Sequence, residues 1–182
     1  TPEAPYLRRA YEVPANPWKV AISEGKAYVT GDRFCIVDLT DPTVPRPLGV
    51  CDEARSGEAT ILDQGKAYIA GPAVGLMIVD VTEPTSPALL GIGATRCAIG
   101  VAVSGHYAYV ADQYEGLLTF DIGNPRSPIR VNTLDIADTA IRIAIENSTA
   151  YLATGGGLEI FDLSEPVNPA PVGKYPMQGG VN

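Results

Sequence analysis

The stretch Leu76–Pro87, LMIVDVTEPTSP, recurs as FCIVDLTDPTVP at Phe34–Pro45, LLTFDIGNPRSP at Leu117–Pro128 and LEIFDLSEPVNP at Leu158–Pro169. Its Asp80 and the equivalents Asp38, Asp121 and Asp162 stand about 41 residues apart, and a fixed period of this size marks stacked copies of one supersecondary unit. The architecture is legible from this period; the chemistry is much less so.

Working outward from that stretch, each unit reads alike. A short apolar run (Val20–Ile22, Thr60–Leu62, Val101–Val103, Ile143–Ile145) meets a polar turn carrying Gly25, Gly65, Gly105 or Asn147. A second run holds an Ala-Tyr pair: Ala27-Tyr28, Ala67-Tyr68, Ala108-Tyr109 and Ala150-Tyr151. A Gly or Asp hinge (Gly31-Asp32, Gly71, Asp112, Gly155–Gly157) leads into the LMIVD run, and a Pro-x-x-Pro turn releases a fourth run such as Leu89–Ile92. The runs are short, rich in Val, Ile, Tyr and Phe, and closed by Gly, Pro, Asn or Asp, which specifies strands and leaves no room for a helix at a 3.6 period.

The third strand is apolar on both faces, with Leu76 and Ile78 on one side and Met77 and Val79 on the other. Such a strand must be covered from above and below. A four-stranded sheet covered on both faces by its own copies is a blade of a radial stack, so the expected fold is an all-β propeller of four-stranded blades. The rival, a parallel β-helix, has a shorter repeat and no hairpin turns. The blades are expected near residues 17–52, 57–93, 98–134 and 140–175. Residues 1–11 repeat the outer part of a unit, with Thr1-Pro-Glu-Ala-Pro5 matching Asp41-Pro-Thr-Val-Pro45 and Tyr6–Arg9 in the place of an outer strand.

Several recurring residues invite functional readings that their spacing does not require. A ring of Asp38, Asp80, Asp121 and Asp162 suggests calcium, but an Asp ahead of a Pro turn accepts backbone N–H groups two residues on, which is a structural role. The paired prolines keep the outer strand short and blunt a sheet edge. The repeat tyrosines fit packing between blades, where a buried ring can still satisfy its hydroxyl.

Composition narrows the partners. A net charge of −8 repels phosphate backbones and argues against a nucleic-acid partner. No apolar run reaches the roughly 20 residues of a membrane-spanning helix. The chain starts TPEAPY without an initiating Met or a leader, as a mature or trimmed product would, and as a cloning boundary would equally. Cys35, Cys51 and Cys97 form an odd set with no CxxC spacing, and His106 is the only imidazole, so neither a disulfide framework nor a metal cage is expected, and no cofactor is implied.

With LMIVD and its echoes FCIVD, LLTFD and LEIFD, preceded by the Ala-Tyr strand, the chain resembles the LVIVD-repeat family. The resemblance implies a β-propeller, found largely on exported or surface-attached bacterial and archaeal proteins and often as one part of a longer polypeptide. It carries no general catalytic motif. The sequence departs from the repeat at Ser56–Thr60, where the lead-in is less apolar, and at Asn147 and Gly155–Gly157 in the last unit.

Counting runs gives four first, second and third strands but five fourth strands, because Tyr6–Arg9 duplicates the role of Ala170–Lys174. The expectation is therefore an arc of a larger propeller, completed by another segment or a second chain. The alternative is a self-contained ring of four or five blades latched by its N-terminal strand.

Catalysis finds little support in the residues. His106 lies in a turn with no matched nucleophile, no spacing singles out a glycosidase-like carboxylate pair, and Gly155–Gly157 precedes a strand, so no helix N-terminus reinforces it as an anion cradle. Binding is the better reading. In a propeller the residues just before the innermost strands face the channel mouth; here they include Trp18-Lys19, Glu58-Ala59, Ile99-Gly100 and Ile141-Arg142. Trp18, Lys19, Glu58 and Arg142 are the candidate binding residues, set against plain packing or mutual ion pairing. The functional expectation is a non-catalytic scaffold or protein-interaction module, secreted, periplasmic or at the cell surface. Its alternative is a ligand-binding or hydrolytic propeller that uses the channel mouth.

Overall fold

The computed structural model describes residues 16–176. They form sixteen strands: β1 (Pro17–Ser23), β2 (Lys26–Gly31), β3 (Phe34–Asp38), β4 (Arg46–Cys51), β5 (Ala59–Asp63), β6 (Lys66–Gly71), β7 (Gly75–Asp80), β8 (Ala88–Gly93), β9 (Ala98–Ser104), β10 (Tyr107–Asp112), β11 (Gly116–Asp121), β12 (Ile129–Leu134), β13 (Ala140–Glu146), β14 (Thr149–Thr154), β15 (Gly157–Asp162) and β16 (Ala170–Pro176). Each consecutive set of four makes one antiparallel sheet in simple up-and-down order, giving blades 1 to 4. The fifth outer strand expected at Tyr6–Arg9 lies outside the described residues. No helix among the described residues is long and apolar enough to cross a membrane.

Local chemistry explains the meander. In blades 1 and 2 the first hairpin turns on Glu24-Gly25 and Gln64-Gly65, and all four residues have positive φ. That is the backbone of a two-residue turn whose twist matches its strands. Where the third strand ends, Asp38 and Asp80 each take the N–H of the Thr two residues on, at 2.8 and 3.0 Å. Asp121 and Asp162 do the same with Gly123 and Ser164, both at 2.8 Å. The recurrent carboxylates thus fold the chain back toward the Pro turn. The Thr hydroxyl and then the Thr N–H hold the Asp38 and Asp80 carboxyls below the usual carboxylate range.

The core is the set of spaces between blades. Tyr28, Phe34 and Ile36 of blade 1 meet Ile69, Met77 and Val79 of blade 2. Tyr68, Leu76 and Ile78 of blade 2 meet Val110, Leu118 and Phe120 of blade 3. Tyr109, Ala111 and Leu117 of blade 3 meet Ala150, Leu152 and Phe161 of blade 4. The strand that is apolar on both faces is therefore used on both faces, and Leu76, Met77, Ile78 and Val79 are all fully buried. At about 25 cal/mol per Å² of apolar surface, these spaces rather than any single sheet hold the fold together.

The innermost strands pack in succession, β1 on β5, β5 on β9 and β9 on β13, as blades around a common axis do. No comparable packing brings β13 back to β1 among the described residues. The four blades form an arc with two ends.

Candidate functional site

Two regions have the exposure and chemistry to recognise something: the axial mouth and the two end faces. At the mouth, the ladder between the first and second strand slips just after the start of β1, β9 and β13, between Pro17 and Lys19, Ala98 and Gly100, and Ala140 and Arg142. The extra residues are Trp18, Ile99 and Ile141. A bulge re-aims the residue it ejects and is a recurrent device beside binding sites. Glu58 occupies the same place in blade 2, where its N–H is held by the Ala70 carbonyl at 2.8 Å. The result is a ring position occupied by Trp18, Glu58, Ile99 and Ile141, in which Trp18 and Ile141 are exposed.

The candidate residues do not assemble into an ionic cluster. Arg142 turns its Nη1 to the carbonyls of Ile99 and Ile141, at 2.7 and 2.8 Å, and so ties blade 4 to blade 3. Among the described residues no ion pair joins Lys19, Glu58 and Arg142. Mutual pairing is thus not their role: Lys19 is exposed and Glu58 half-buried. The mouth presents the exposed Trp18, Lys19 and Ile141 beside the half-buried Glu58.

Beside this rim stands Asp112, which the sequence presented only as a hinge. It is wholly buried. Its Oδ2 accepts the Cys97 N–H at 2.6 Å, and its Oδ1 accepts those of Tyr114 and Glu115, both at 2.9 Å. Burial pushes its carboxyl up, but the backbone N–H groups of Cys97, Tyr114 and Glu115 outweigh it and hold the group below the usual range. The carboxylate is consumed by the turn and is not free to act on a substrate.

The cysteines and the histidine are placed apart from this carboxylate's turn or are disfavoured as nucleophiles. Burial raises the thiols of Cys35, Cys51 and Cys97, helped by Asp32 at Cys35 and by Asp112 and Glu58 at Cys97, which disfavours the nucleophilic thiolate. His106 lies in the β9–β10 turn, at the end of the blade away from the bulges. There it borders a groove of about 220 Å³ with Lys66, Tyr68 and Pro125. A groove of about 250 Å³ with Lys26, Tyr28 and Pro84 recurs between blades 1 and 2, so both follow from the repeat. Among the described residues no group of three or more His, Cys, Asp or Glu converges as metal ligands would.

The end faces were not singled out from the sequence. Blade 1 turns Val20 and Ile22 outward, 61% and 63% exposed, although Val101, at the equivalent of Val20 in blade 3, is buried. Further out on that face, by contrast, Ala27, Val29, Cys35 and Val37 form a small buried cluster. Blade 4 turns out Tyr151, Leu158 and Ile160, half-buried, whereas their blade 2 counterparts Tyr68, Leu76 and Ile78 are buried. Tyr175 at its edge is 70% exposed. The signal for these faces was present, since every LVIVD-like strand is apolar on both sides, but which copies are terminal is a property of the stack.

Comparison with known proteins agrees with this geometry. The LVIVD repeat description matches residues 15–53, 65–95, 96–136 and 137–176. No curated protein sequence matches the chain. Among solved structures it is similar to the computationally designed Ika8 protein, at TM-score 0.66 and 9% identity over 86% of this chain. It is also similar to the computationally designed Ika4 protein, at TM-score 0.67 and 9% identity over 83% of this chain. It spans 48% of the Ika8 chain and 93% of the Ika4 chain. At such identity the likeness concerns the fold alone. Four sheets, four recurrent Asp turns and four matched segments lead to one statement of kinship: this chain belongs to the LVIVD repeat family.

Proposed function

We propose that the chain is a non-catalytic β-propeller scaffold, an interaction module of an exported or cell-surface protein or complex. The observation that carries this reading is the outer face of blade 4, where Tyr151, Leu158 and Ile160 are half-buried although their blade 2 counterparts Tyr68, Leu76 and Ile78 are buried. Exposed apolar surface of this kind marks interaction sites. The partner is a protein, in the form of a second chain or segment that completes the ring.

The bulged rim of Trp18, Glu58, Ile99 and Ile141 supports a second reading, a ligand-binding or hydrolytic propeller working at the channel mouth. One experiment separates the two. The tagged chain is used to capture partners from the exported and surface proteins of its source cells, beside an end-face variant, Ile160→Asp, and a mouth variant carrying Trp18→Ala and Arg142→Ala. The scaffold reading expects capture to be lost in the end-face variant and kept in the mouth variant. Hydrolysis of simple esters, glycosides or phosphoesters by the purified chain, abolished by His106→Ala or Glu58→Gln, would overturn it. Protease shaving of intact cells expressing the full-length protein tests the location, with loss of the propeller expected.

A further inference from the structure

The two grooves at the end of the blades away from the bulged mouth are built alike. One lies between blades 1 and 2 and the other between blades 2 and 3, and they adjoin at the β5–β6 hairpin, whose Asp63, Gln64 and Lys66 line both. The second strand brings the same pair of side chains to each, Lys26 with Tyr28 and Lys66 with Tyr68. Residues two apart on a strand share a face. An ammonium and a phenol therefore stand side by side in each groove.

Blade 3 shows how the fold satisfies such a phenol when it does so internally. There the pair is Tyr107 and Tyr109, and the Tyr109 hydroxyl donates to the Pro166 carbonyl of blade 4 at 3.1 Å. The matching carbonyl for Tyr68 is that of Pro125, which lies instead against Gly91, where a Cβ would collide with it. Tyr68 is only 4% exposed, and among the described residues its hydroxyl has no hydrogen-bond partner. The wholly enclosed hydroxyls left without one are those of Thr95 and Thr119, so the Tyr68 hydroxyl opens onto the groove. Tyr28, 6% exposed, repeats the arrangement one blade earlier. Burial, and then the Asp63 carboxylate, raise the Tyr68 phenol, which keeps its proton and is a donor.

The charges around it select the ligand. Asp63 and Lys66 face each other across their hairpin and are both half-buried, yet among the described residues no ion pair joins them, and Lys66 Nζ donates to the Gln64 carbonyl at 3.3 Å. An anion in the groove meets the Asp63 carboxylate, and a cation meets the Lys66 ammonium. A zwitterion would have to leave water with both its charges, which costs far more than burying hydroxyls. A neutral polyol suits every group at once: its O–H groups donate to Asp63, its oxygens accept from Lys66 and Tyr68, and the Gln64 amide serves either way. The volumes, about 220 and 250 Å³, fall below the roughly 300–1,000 Å³ of sites for drug-sized ligands and suit one small ring. We infer that each groove is a saccharide-binding site that takes one neutral sugar unit against its Lys-Tyr pair and Asp63. The inference goes beyond the scaffold reading, since it uses neither the mouth nor the outer face of blade 4.

Saturation-transfer NMR and calorimetric titration of the purified chain test this. The probes are the methyl glycosides of glucose, galactose, mannose, fucose, xylose and N-acetylglucosamine, with acetate, methylammonium and glycine as the anion, cation and zwitterion. At least one glycoside is expected to bind, more tightly than any of the three charged probes. Tyr68→Phe removes one oxygen and keeps the ring, so it should retain the wild-type circular dichroism and urea midpoint while weakening binding in the groove between blades 2 and 3 about tenfold, the loss of one hydrogen bond. Asp63→Asn, whose side chain lines both grooves, should weaken binding in both. Trp18→Ala and Ile160→Asp should leave sugar binding unchanged, so the scaffold reading and this one stand or fall separately. Tetrasaccharides of glucose and of N-acetylglucosamine identify the source: tighter binding than the single sugar marks a polysaccharide spanning both grooves, and equal binding a terminal sugar. No glycoside bound, a charged probe bound as tightly as any glycoside, or glycoside binding untouched by both Tyr68→Phe and Asp63→Asn would each overturn the inference.

Discussion

Gly91 and Gly173 occupy the same position in the repeat, pair across to equivalent residues of the third strand, Ile78 and Ile160, and have opposite surroundings. Around Gly91 the next blade has closed to the point where not even a methyl group fits; around Gly173 the described residues approach no closer than the Ile160 side chain, at 3.7 Å. The same contrast sets the buried Tyr68, Leu76 and Ile78 of blade 2 against the half-buried Tyr151, Leu158 and Ile160 of blade 4. The difference teaches that a repeat fixes what each face can bury, while its place in the stack fixes whether it does. One kind of apolar surface is thus fully buried between blades 2 and 3 and only half-buried on blade 4.

Substitutions at matched positions should expose that contrast. The largest effect is expected from Ile78→Ala, which opens a cavity between two packed blades and should cost about 4 kcal/mol in urea denaturation. Ile160→Ala, measured on a monomer, should cost about 1 kcal/mol because part of that side chain already meets solvent. Next, Gly91→Val should cost about 3 kcal/mol, since it must push the Pro125 backbone away, against a change within about 0.5 kcal/mol for Gly173→Val. Equal losses at Gly91 and Gly173 would show that the arc closes on itself in solution.

A smaller loss is expected at the hinge. Asp112→Asn can still accept from Tyr114 and Glu115, but it places an amide where Oδ2 accepts the Cys97 N–H, so about 2 kcal/mol should be lost at neutral pH. The folded carboxyl lies below its unfolded value, so its stabilisation is complete above the unfolded carboxylate range and disappears as the pH falls through the lowered folded pKa. The wild type should therefore lose stability below about pH 4 more steeply than the variant. Asp32, the exposed hinge carboxylate of blade 1, bonds Asn16 instead, and Asp32→Asn should change little.

The smallest difference concerns a single hydroxyl. Tyr109→Phe leaves the Pro166 carbonyl without its partner and should cost about 1 kcal/mol. Burial, with Tyr107 nearby, pushes the Tyr109 phenol up to about 12, so Tyr109→Phe should remove a late phase from the ultraviolet titration. Tyr151→Phe, at the equivalent half-buried position of blade 4, should change stability by less than about 0.5 kcal/mol.

From residues alone the chain specified its strands, their meander, the Asp and Pro turns and the two-sided burial, because each of these rests on local chemistry repeated about every 41 residues. The bulged positions were legible as pairs ahead of the first strand, although not the slip of register that ejects Trp18 and Ile141. Three things needed the tertiary structure. Asp112 looked like one more hinge until burial and three backbone donors from separate residues met on it. Arg142 looked free until it was found bonded to the Ile99 carbonyl of the neighbouring blade. Gly49, Gly91 and Gly173 recur at one place in the fourth strand, yet only the tertiary structure brings the next blade's Pro turn against Gly49 and Gly91, because neighbouring sheets, unlike neighbouring residues, are set by how the whole chain packs.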